Sequence, residues 1–283
     1  MIHPISNPKL RLALLGIAVS LISLCFFWQR TLSLKPADDQ RLNSAHPLPH
    51  LPSLDQAQSN EQLVSEGDPS ILFLGNSHTS FHSLPELVKN AIQFRYPDRP
   101  VYVYSYSIGS LEAADQDPIC NGEINTRRWD IVVLQAQQVS MSGKYRYSTS
   151  EGVAFAKRAK AKGARVFFYS EWGRKGIDGE TERTEAIYQD MAEQSSTLLI
   201  PVGRVWQSVL AESPTLALHS FDENHQSRLG ASLTALVIAA FLIGQDPIEF
   251  LEYPETVATS DQWRRFCKVA STVWNASQHP SKQ

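Results

Sequence analysis

The sequence predicts a three-layer α/β/α fold, in which helices cover both faces of a central parallel sheet of five strands. Continuous apolar runs of four to six residues suit strands that are buried on both faces. Longer segments with helical patterning separate these runs, and strands that alternate with helices favour parallel pairing. The first strand, Ile71–Leu74, is an apolar run that ends before a glycine.

The remaining elements follow from the same two patterns in chain order. The predicted strands after the first are Val101–Tyr106, Ile131–Leu134, Val166–Tyr169 and Thr197–Val202. The predicted helices between and after the strands are Leu84–Phe94, Glu151–Lys162 with an apolar and a basic face, Glu182–Gln194, Val205–Ala211, the strongly apolar Leu229–Ile243 and the amphipathic Asp261–Trp274. In such sheets ligands bind beyond the carboxyl ends of the strands, so the residues that follow each strand are the candidates for function.

Composition and charge restrict the class of protein. The chain has 283 residues, 42% of them hydrophobic and 19% charged, which is typical of a globular protein with one ordinary domain. A formal net charge of -3 and no run of basic residues interleaved with aromatics argue against a nucleic-acid partner.

The segment Leu12–Trp28 is an uninterrupted apolar stretch near the N-terminus. At ~1.5 Å per residue it reaches about 25 Å, at the short end for a bilayer core. Bulky residues at 26–28 stand where a signal peptidase needs small ones, which favours an uncleaved signal anchor. Lipidation of Cys25 is disfavoured because Leu24 precedes it. We therefore expect a transmembrane helix that attaches the protein to a membrane.

Three parts of the chain are predicted. Residues 1–30 form the signal anchor, residues 31–68 a polar, proline-rich disordered linker, and residues 69–283 the folded domain. A terminal hydrophobic anchor is the usual route to export, so the domain is expected on the periplasmic or extracellular side. Cys120 and Cys267 then either form one disulfide or remain two buried thiols.

A serine follows the first predicted strand in the sequence Gly75-Asn76-Ser77-His78. A strand-to-helix turn would place the Ser77 hydroxyl and its own N–H at the carboxyl edge of the sheet, which is a position for a nucleophile. The alternative is that Ser77 only caps the next helix.

An acidic residue and a histidine follow the last strand and precede the apolar helix. Asp222 and His225 are three residues apart, so in a turn the carboxylate can bond to one ring nitrogen while the other faces a hydroxyl. In isolation such a pair is explained as well by a helix cap, Asp222, and a solvated first-turn histidine.

Together the two motifs resemble the SGNH/GDSL hydrolase family in type and order, with DxxH about 145 residues after GNSH. The resemblance runs from about Ile71 to Pro247 and includes the stretches WDIVVLQ, PVG-x-x-W and DENHQSRLGASL. It implies a flavodoxin-like fold and a catalytic triad of Ser77, Asp222 and His225. It also implies that the N–H groups of Ser77 and Gly109 bind the oxyanion.

One family block is different in this chain. Where the family has G-x-N-D, with an asparagine that donates to the oxyanion, the sequence has Gln135-Ala136-Gln137-Gln138. A glutamine amide can donate equally well if it reaches the site. We expect Gln135 to be the third donor, with Gln138 as the next candidate.

Other polar and aromatic residues have weaker signals. His78 and His82, with the DxxH pair, could be interpreted as a metal site, but no metal-binding framework supports it, so neither a metal nor a cofactor is expected. Glu171, Trp172 and Trp206 follow the fourth and fifth strands, where aromatics either stack on a sugar or pack in the core.

The expected function is that of a serine esterase that acts through an acyl-enzyme on a carbohydrate O-acetyl group or another short-acyl ester. The expected partners are a small-molecule or glycan ester and, through the N-terminal helix, a membrane. Two alternatives remain open: an O-acyltransferase that uses the same triad, and a non-catalytic surface domain that keeps the fold for binding.

Overall fold

The computed structural model describes residues 68–136 and 138–278 of the chain. Five strands form one parallel sheet in the order β2-β1-β3-β4-β5, which confirms the predicted sheet. The strands are β1 Ser70–Gly75, β2 Tyr102–Ser107, β3 Ile131–Leu134, β4 Arg165–Tyr169 and β5 Leu198–Ile200.

Helices follow each strand and cover both faces of the sheet. They are α1 Ser77–Ser80, α2 Leu84–Arg95, α3 Leu111–Gln116, α4 Pro118–Thr126, α5 Ser150–Ala161, α6 Glu180–Ser195, α7 Val202–Glu212, α8 Arg228–Ile243 and α9 Ser260–Gln278. Short 3₁₀ turns lie at Phe81–Ser83 and Pro247–Phe250. The six predicted helices are present, with ends that differ by a few residues.

Alternate side chains of the strands point into two separate cores. Ile71 and Phe73 of β1 pack with α2, α7, α8 and α9 on one face of the sheet. Leu72 and Leu74 pack with α3, α4, α5 and α6 on the other. This period of two explains why the inner strands are continuous apolar runs, since both faces of the sheet are covered.

Strand β2 differs from the prediction, because it is not buried on both faces. Tyr102 and Tyr104 are 50% and 40% exposed. The strand lies at the edge of the sheet and pairs with β1 alone. Tyr104 lies edge-on against Trp129, with ring centroids 5.1 Å apart. At this edge of the sheet, aromatic side chains therefore pack against each other where an inner strand would contact a helix.

The short helices α3 and α4 were not predicted from the sequence. Asp117 separates them, and its carboxylate accepts hydrogen bonds from the backbone N–H of Ile119 and Cys120, which begins α4. Cys120 of α4 and Cys267 of α9 are both buried free thiols. Of the two alternatives for the cysteines, the structure therefore has the unpaired one.

The predicted signal anchor 1–30 and linker 31–68 lie outside the described residues, apart from Asp68. Within residues 68–136 and 138–278, no helix is long and apolar enough to cross a bilayer. The apolar helix α8 is instead part of the core, with every residue from Gly230 to Ile243 buried. A helix that is apolar all round is expected at such a fully enclosed position.

The strand order reverses at β1, which has β2 on one side and β3 on the other. The segments that leave the carboxyl ends of β1 and β2 lie on one side of this point, and the segment that leaves β3 lies on the other. Together they enclose a crevice. The residues that leave β1 are the GNSH motif.

Candidate active site

The Ser77 turn is fixed by its neighbours and not by a serine cap. Asn76 is the N-cap of α1, because its Oδ1 accepts a hydrogen bond of 2.9 Å from the His78 N–H. Gly75 leaves room for the turn, since a Cβ at this position would lie 1.9 Å from Thr79 Oγ1. Ser77 is therefore the first residue of a four-residue helix, and the capping interpretation of this serine is wrong.

The loop before α8 holds Asp222 and His225 in a tight turn. Asp222 Oδ1 accepts hydrogen bonds from the backbone N–H of His225, at 2.9 Å, and of Asn224, at 3.1 Å. Glu223, between them, has a φ of 61°, a left-handed conformation that is uncommon for a side-chain-bearing residue. Helix α8 is capped by Ser227, whose Oγ accepts from the Gly230 N–H, so Asp222 is not a helix cap.

The structure brings the three predicted catalytic residues into one hydrogen-bonded row. Ser77 Oγ lies 2.7 Å from His225 Nε2, and His225 Nδ1 lies 2.5 Å from Asp222 Oδ2. An ionised carboxylate can only accept, so Nδ1 carries the proton and Nε2 is left to accept from the serine hydroxyl. This is the tautomer in which an imidazole can remove a proton from serine.

The carboxylate of Asp222 stays ionised over the ordinary pH range. Partial burial opposes its charge, but the hydrogen bonds from the His225 ring and from the N–H groups of His225 and Asn224 outweigh that effect and lower its pKa to about 2. The side chains of His225 and Asp222 are 19% and 32% exposed, so the row opens to solvent at the sheet edge.

Two other rings lie against the His225 ring. Phe81 stacks on it at 4.7 Å between centroids and 18° between planes, and the His78 ring lies at 4.9 Å and 32°. Burial, followed by the proximity of His225, lowers the pKa of His78 to about 4, so His78 is neutral near pH 7. Neither contact could be predicted from the sequence, because His225 is distant in sequence from both His78 and Phe81.

Gly109 follows β2 at the same edge of the sheet as Ser77. Gly75 pairs with Ser107, and the Ile108 N–H donates to the Gly75 carbonyl at 2.7 Å, so the register of the two strands continues past their ends. Ser77 and Gly109 each stand two residues beyond that pair. The role of the Gly109 N–H in binding the oxyanion stays a prediction.

Gln135 does not lie where the prediction placed it. Its side chain is fully buried beneath the Ser77 turn; Oε1 accepts from Asn76 N–H and Thr79 Oγ1, and Nε2 is 3.4 Å from Glu171 Oε2. An amide enclosed in this way is not open to a substrate, which contradicts the expected oxyanion role.

The other two glutamines of this block have different outcomes. Gln138 is 2% exposed, and its Nε2 donates to the Ala136 carbonyl, so its amide is also directed into the protein. Gln137 lies outside the described residues.

The two tryptophans after β4 and β5 pack against each other. Trp172 and Trp206 are 4% and 1% exposed and are parallel, with centroids 3.8 Å apart and 3° between planes. Trp172 Nε1 donates to the Asn224 carbonyl at 3.0 Å, which ties the stack to the Asp222 loop. Their role is therefore packing and support of the loop, the second of the two interpretations.

His78 and His82 are the histidines that the sequence indicates as candidate metal ligands. Across residues 68–136 and 138–278, the structure contains no group of three or more histidine, cysteine, aspartate or glutamate side chains placed to hold an ion.

Two solved structures have the same fold as this chain. One is a candidate SGNH hydrolase from Slackia heliotrinireducens, with 22% identity, a TM-score of 0.52, and coverage of 62% of this chain and all of that one. The other is a DUF4886 family protein from Bacteroides uniformis, with 13% identity, a TM-score of 0.53, and coverage of 74% and 96%. The chain has the fold of these proteins. No protein-family model and no curated protein matches its sequence.

Proposed function

We propose that the protein is a serine esterase, with Ser77 as nucleophile, His225 as general base and Asp222 as the group that orients the base. The observation that carries the proposal is the 2.7 Å distance between Ser77 Oγ and His225 Nε2 in the row that ends on Asp222. The fold shared with a candidate SGNH hydrolase supports the same reaction class.

In the proposed reaction, His225 Nε2 takes the Ser77 proton as the oxygen attacks the ester carbonyl carbon. The imidazolium then gives this proton to the leaving alcohol as the ester C–O bond breaks, which leaves an acyl group on Ser77. Water enters, gives a proton to His225 and attacks the acyl carbon, and the serine leaves with that proton. Asp222 keeps the proton on Nδ1 throughout and stabilises the imidazolium.

The oxyanion of each step would be held by the backbone N–H groups of Ser77 and Gly109. Both donors belong to the chain segments that leave β1 and β2 at one edge of the sheet, and fixed backbone donors stabilise charge as it develops. Since Gln135 points into the protein, the proposal assigns no side chain to the oxyanion.

The proposed substrate is a short-acyl ester, such as an O-acetyl group on a carbohydrate. A cavity of about 580 Å³ has Trp172, Lys175 and His219 among its lining residues, and none of the three triad side chains lines it. Trp172 and Lys175 donate hydrogen bonds to the carbonyls of Asn224 and Glu223 in the Asp222 loop, and the proposal assigns the alcohol or sugar part of the substrate to this neighbouring cavity. A series of p-nitrophenyl esters from acetate to palmitate, together with acetylated saccharides, measures this preference. A kcat/KM that rises steadily with acyl length would contradict it.

The test of the enzyme class is Ser77→Ala with Ser80→Ala as the matched control. Ser80 lies three residues further on, is exposed, and makes no cap hydrogen bond through its side chain. We expect S77A to lose at least about 10³-fold in kcat on p-nitrophenyl acetate, and to lose labelling by a fluorophosphonate, while S80A keeps both. Activity of S77A equal to that of the wild type would exclude the proposed nucleophile.

We also propose that residues 12–28 anchor the protein, with the folded domain on the periplasmic or extracellular side. The support is the sequence pattern alone. Fractionation of cells that express the full chain, with and without this segment, and protease treatment of intact cells would test it; full-length protein in the soluble fraction would contradict it.

A further inference from the structure

A chain of buried hydrogen bonds runs beneath the Ser77 turn and is not used by the proposed reaction. Thr79 Oγ1 lies 2.8 Å from Gln135 Oε1 and 2.6 Å from the Tyr169 hydroxyl, and Gln135 Nε2 faces Glu171 at 3.4 Å. The four side chains come from α1 and from the carboxyl ends of β3 and β4. Thr79, Gln135 and Tyr169 are at most 2% exposed.

Each hydrogen bond in this buried series can be assigned a donor and an acceptor. The amide oxygen of Gln135 has only lone pairs, so the Thr79 hydroxyl must donate to it, and the Tyr169 hydroxyl must then donate to Thr79. The NH₂ group of Gln135 donates towards the Glu171 carboxyl. Because each bond polarises the next, such a chain holds its members more firmly than isolated pairs do.

This series of hydrogen bonds ends on the backbone next to Ser77, the proposed nucleophile. Gln135 Oε1 also accepts the N–H of Asn76 at 3.2 Å, so one amide oxygen holds the residue before Ser77 and the residue two positions after it. If the amide of Gln135 turned over, its NH₂ group would meet the Asn76 N–H donor directly. The Asn76 N–H donor at one end of the amide and the Glu171 acceptor at the other therefore both favour the observed orientation.

We propose that Gln135, oriented by Glu171, is a positioning residue that fixes the turn around Ser77 for attack. The inference rests on the proposed esterase function, and it assigns to this glutamine a role different from oxyanion binding. A displacement of about 1 Å in a reacting group can lower turnover by about 10²-fold, so a rigid support beneath the turn has a direct kinetic effect.

The main test uses Thr79→Val and Thr79→Ser in the full chain. Valine keeps the shape of threonine but cannot donate to Gln135, whereas serine keeps the hydroxyl. We expect T79V to lower kcat on p-nitrophenyl acetate by about 10- to 100-fold with KM within about threefold, and T79S to stay within about threefold in kcat. Gln135→Met, which removes both ends of the amide, should lower kcat at least as far.

The matched control is Ser195→Ala. Ser195 is 3% exposed, and its hydroxyl donates to the Met191 carbonyl at 2.6 Å. It lies at the end of α6, before β5 begins, and so at the opposite edge of the sheet. We expect S195A to lose stability as T79V does and to keep the kcat of the wild type. Equal kcat values for T79V and S195A would overturn the inference.

A second measurement does not depend on activity. Hydrogen exchange of the Asn76 N–H should become about tenfold faster in Q135M and remain unchanged in S195A, because only the first variant removes its acceptor. If the wild-type protein hydrolyses no ester and takes up no serine probe, the esterase proposal fails while this measurement still tests the support of the turn. If the wild type is active and the exchange of Asn76 is unchanged in Q135M, the positioning role fails alone.

Discussion

Replacing Glu171 by glutamine removes a carboxyl group from the interior with little change of shape. Burial raises the pKa of Glu171 to about 7, and the hydrogen bonds that its carboxylate accepts, from its own backbone and from Tyr188 and Gln135, offset that effect only in part. The charged form of this side chain is therefore less favourable in the folded protein than in the unfolded chain.

The sign and size of the effect follow from this difference. Between an ordinary pKa of 4.5 and the folded value of about 7, the native state binds a proton that the unfolded chain releases. The contribution of Glu171 to the free energy of unfolding therefore falls as pH rises through this window, and is constant above it. At about 1.4 kcal/mol for each tenfold change in proton affinity, the total loss is about 3 kcal/mol.

Urea unfolding of the wild type and of E171Q at pH 5, 6, 7, 8 and 9 measures this loss. E171Q lacks the titrating group, so we expect its stability relative to the wild type to increase by about 2.5 kcal/mol between pH 5 and pH 9. Glu86→Gln, at an exposed residue, is the matched control and should stay within about 0.5 kcal/mol of the wild type. A difference between E171Q and the wild type that does not change with pH would refute the reasoning.

Three further outcomes follow from the site. Asp222→Asn should lower kcat by about 10⁴-fold with little effect on KM, because an amide allows the wrong tautomer of His225; steady-state kinetics on p-nitrophenyl acetate measures this, and a loss below tenfold would contradict it. Because hydrogen bonds lower the pKa of Asp222 to about 2, the stability that its charge contributes is present above about pH 3.8 and is lost as pH falls through about 2; acid unfolding of D222N should lack this component. Gly230→Ala should cost about 1–3 kcal/mol, since its Cβ would lie 2.3 Å from the Leu218 carbonyl oxygen and 2.6 Å from the Trp206 ring; a melting temperature equal to that of the wild type would show that this contact yields.

Much of the fold could be predicted because each inner strand is buried on both faces, which leaves a run of apolar residues in the sequence. Strand β3, Ile131–Leu134, has the predicted bounds for this reason. The exposure of β2 could not be predicted, since its place at the edge depends on the order of strands. Helix α3 was missed because it has only six residues, and α4 because it buries only Cys120 and Ile124 and so leaves little apolar pattern in the sequence.

The row of Ser77, His225 and Asp222 could be anticipated from residue types and from their positions after strands. The orientation of Gln135 could not, because it is set by Thr79 and Glu171, which lie 56 and 36 residues away in sequence. An amide offers a donor and an acceptor, and only its surroundings decide which end faces the turn. Sequence reasoning therefore could not show that the Gln135 amide is directed into the protein and away from a substrate.

The neutral state of His78 has a consequence for the proposed reaction. When His225 accepts the serine proton it becomes a cation, and the centre of the His78 ring is only 4.9 Å from that of His225. Two positive charges at that separation would repel by about 3 kcal/mol at an effective dielectric constant of 20, enough to slow the proton transfer by more than about 100-fold. Because His78 remains uncharged down to about pH 4, its ring packs against His225 without repelling the positive charge that His225 acquires in the proposed reaction.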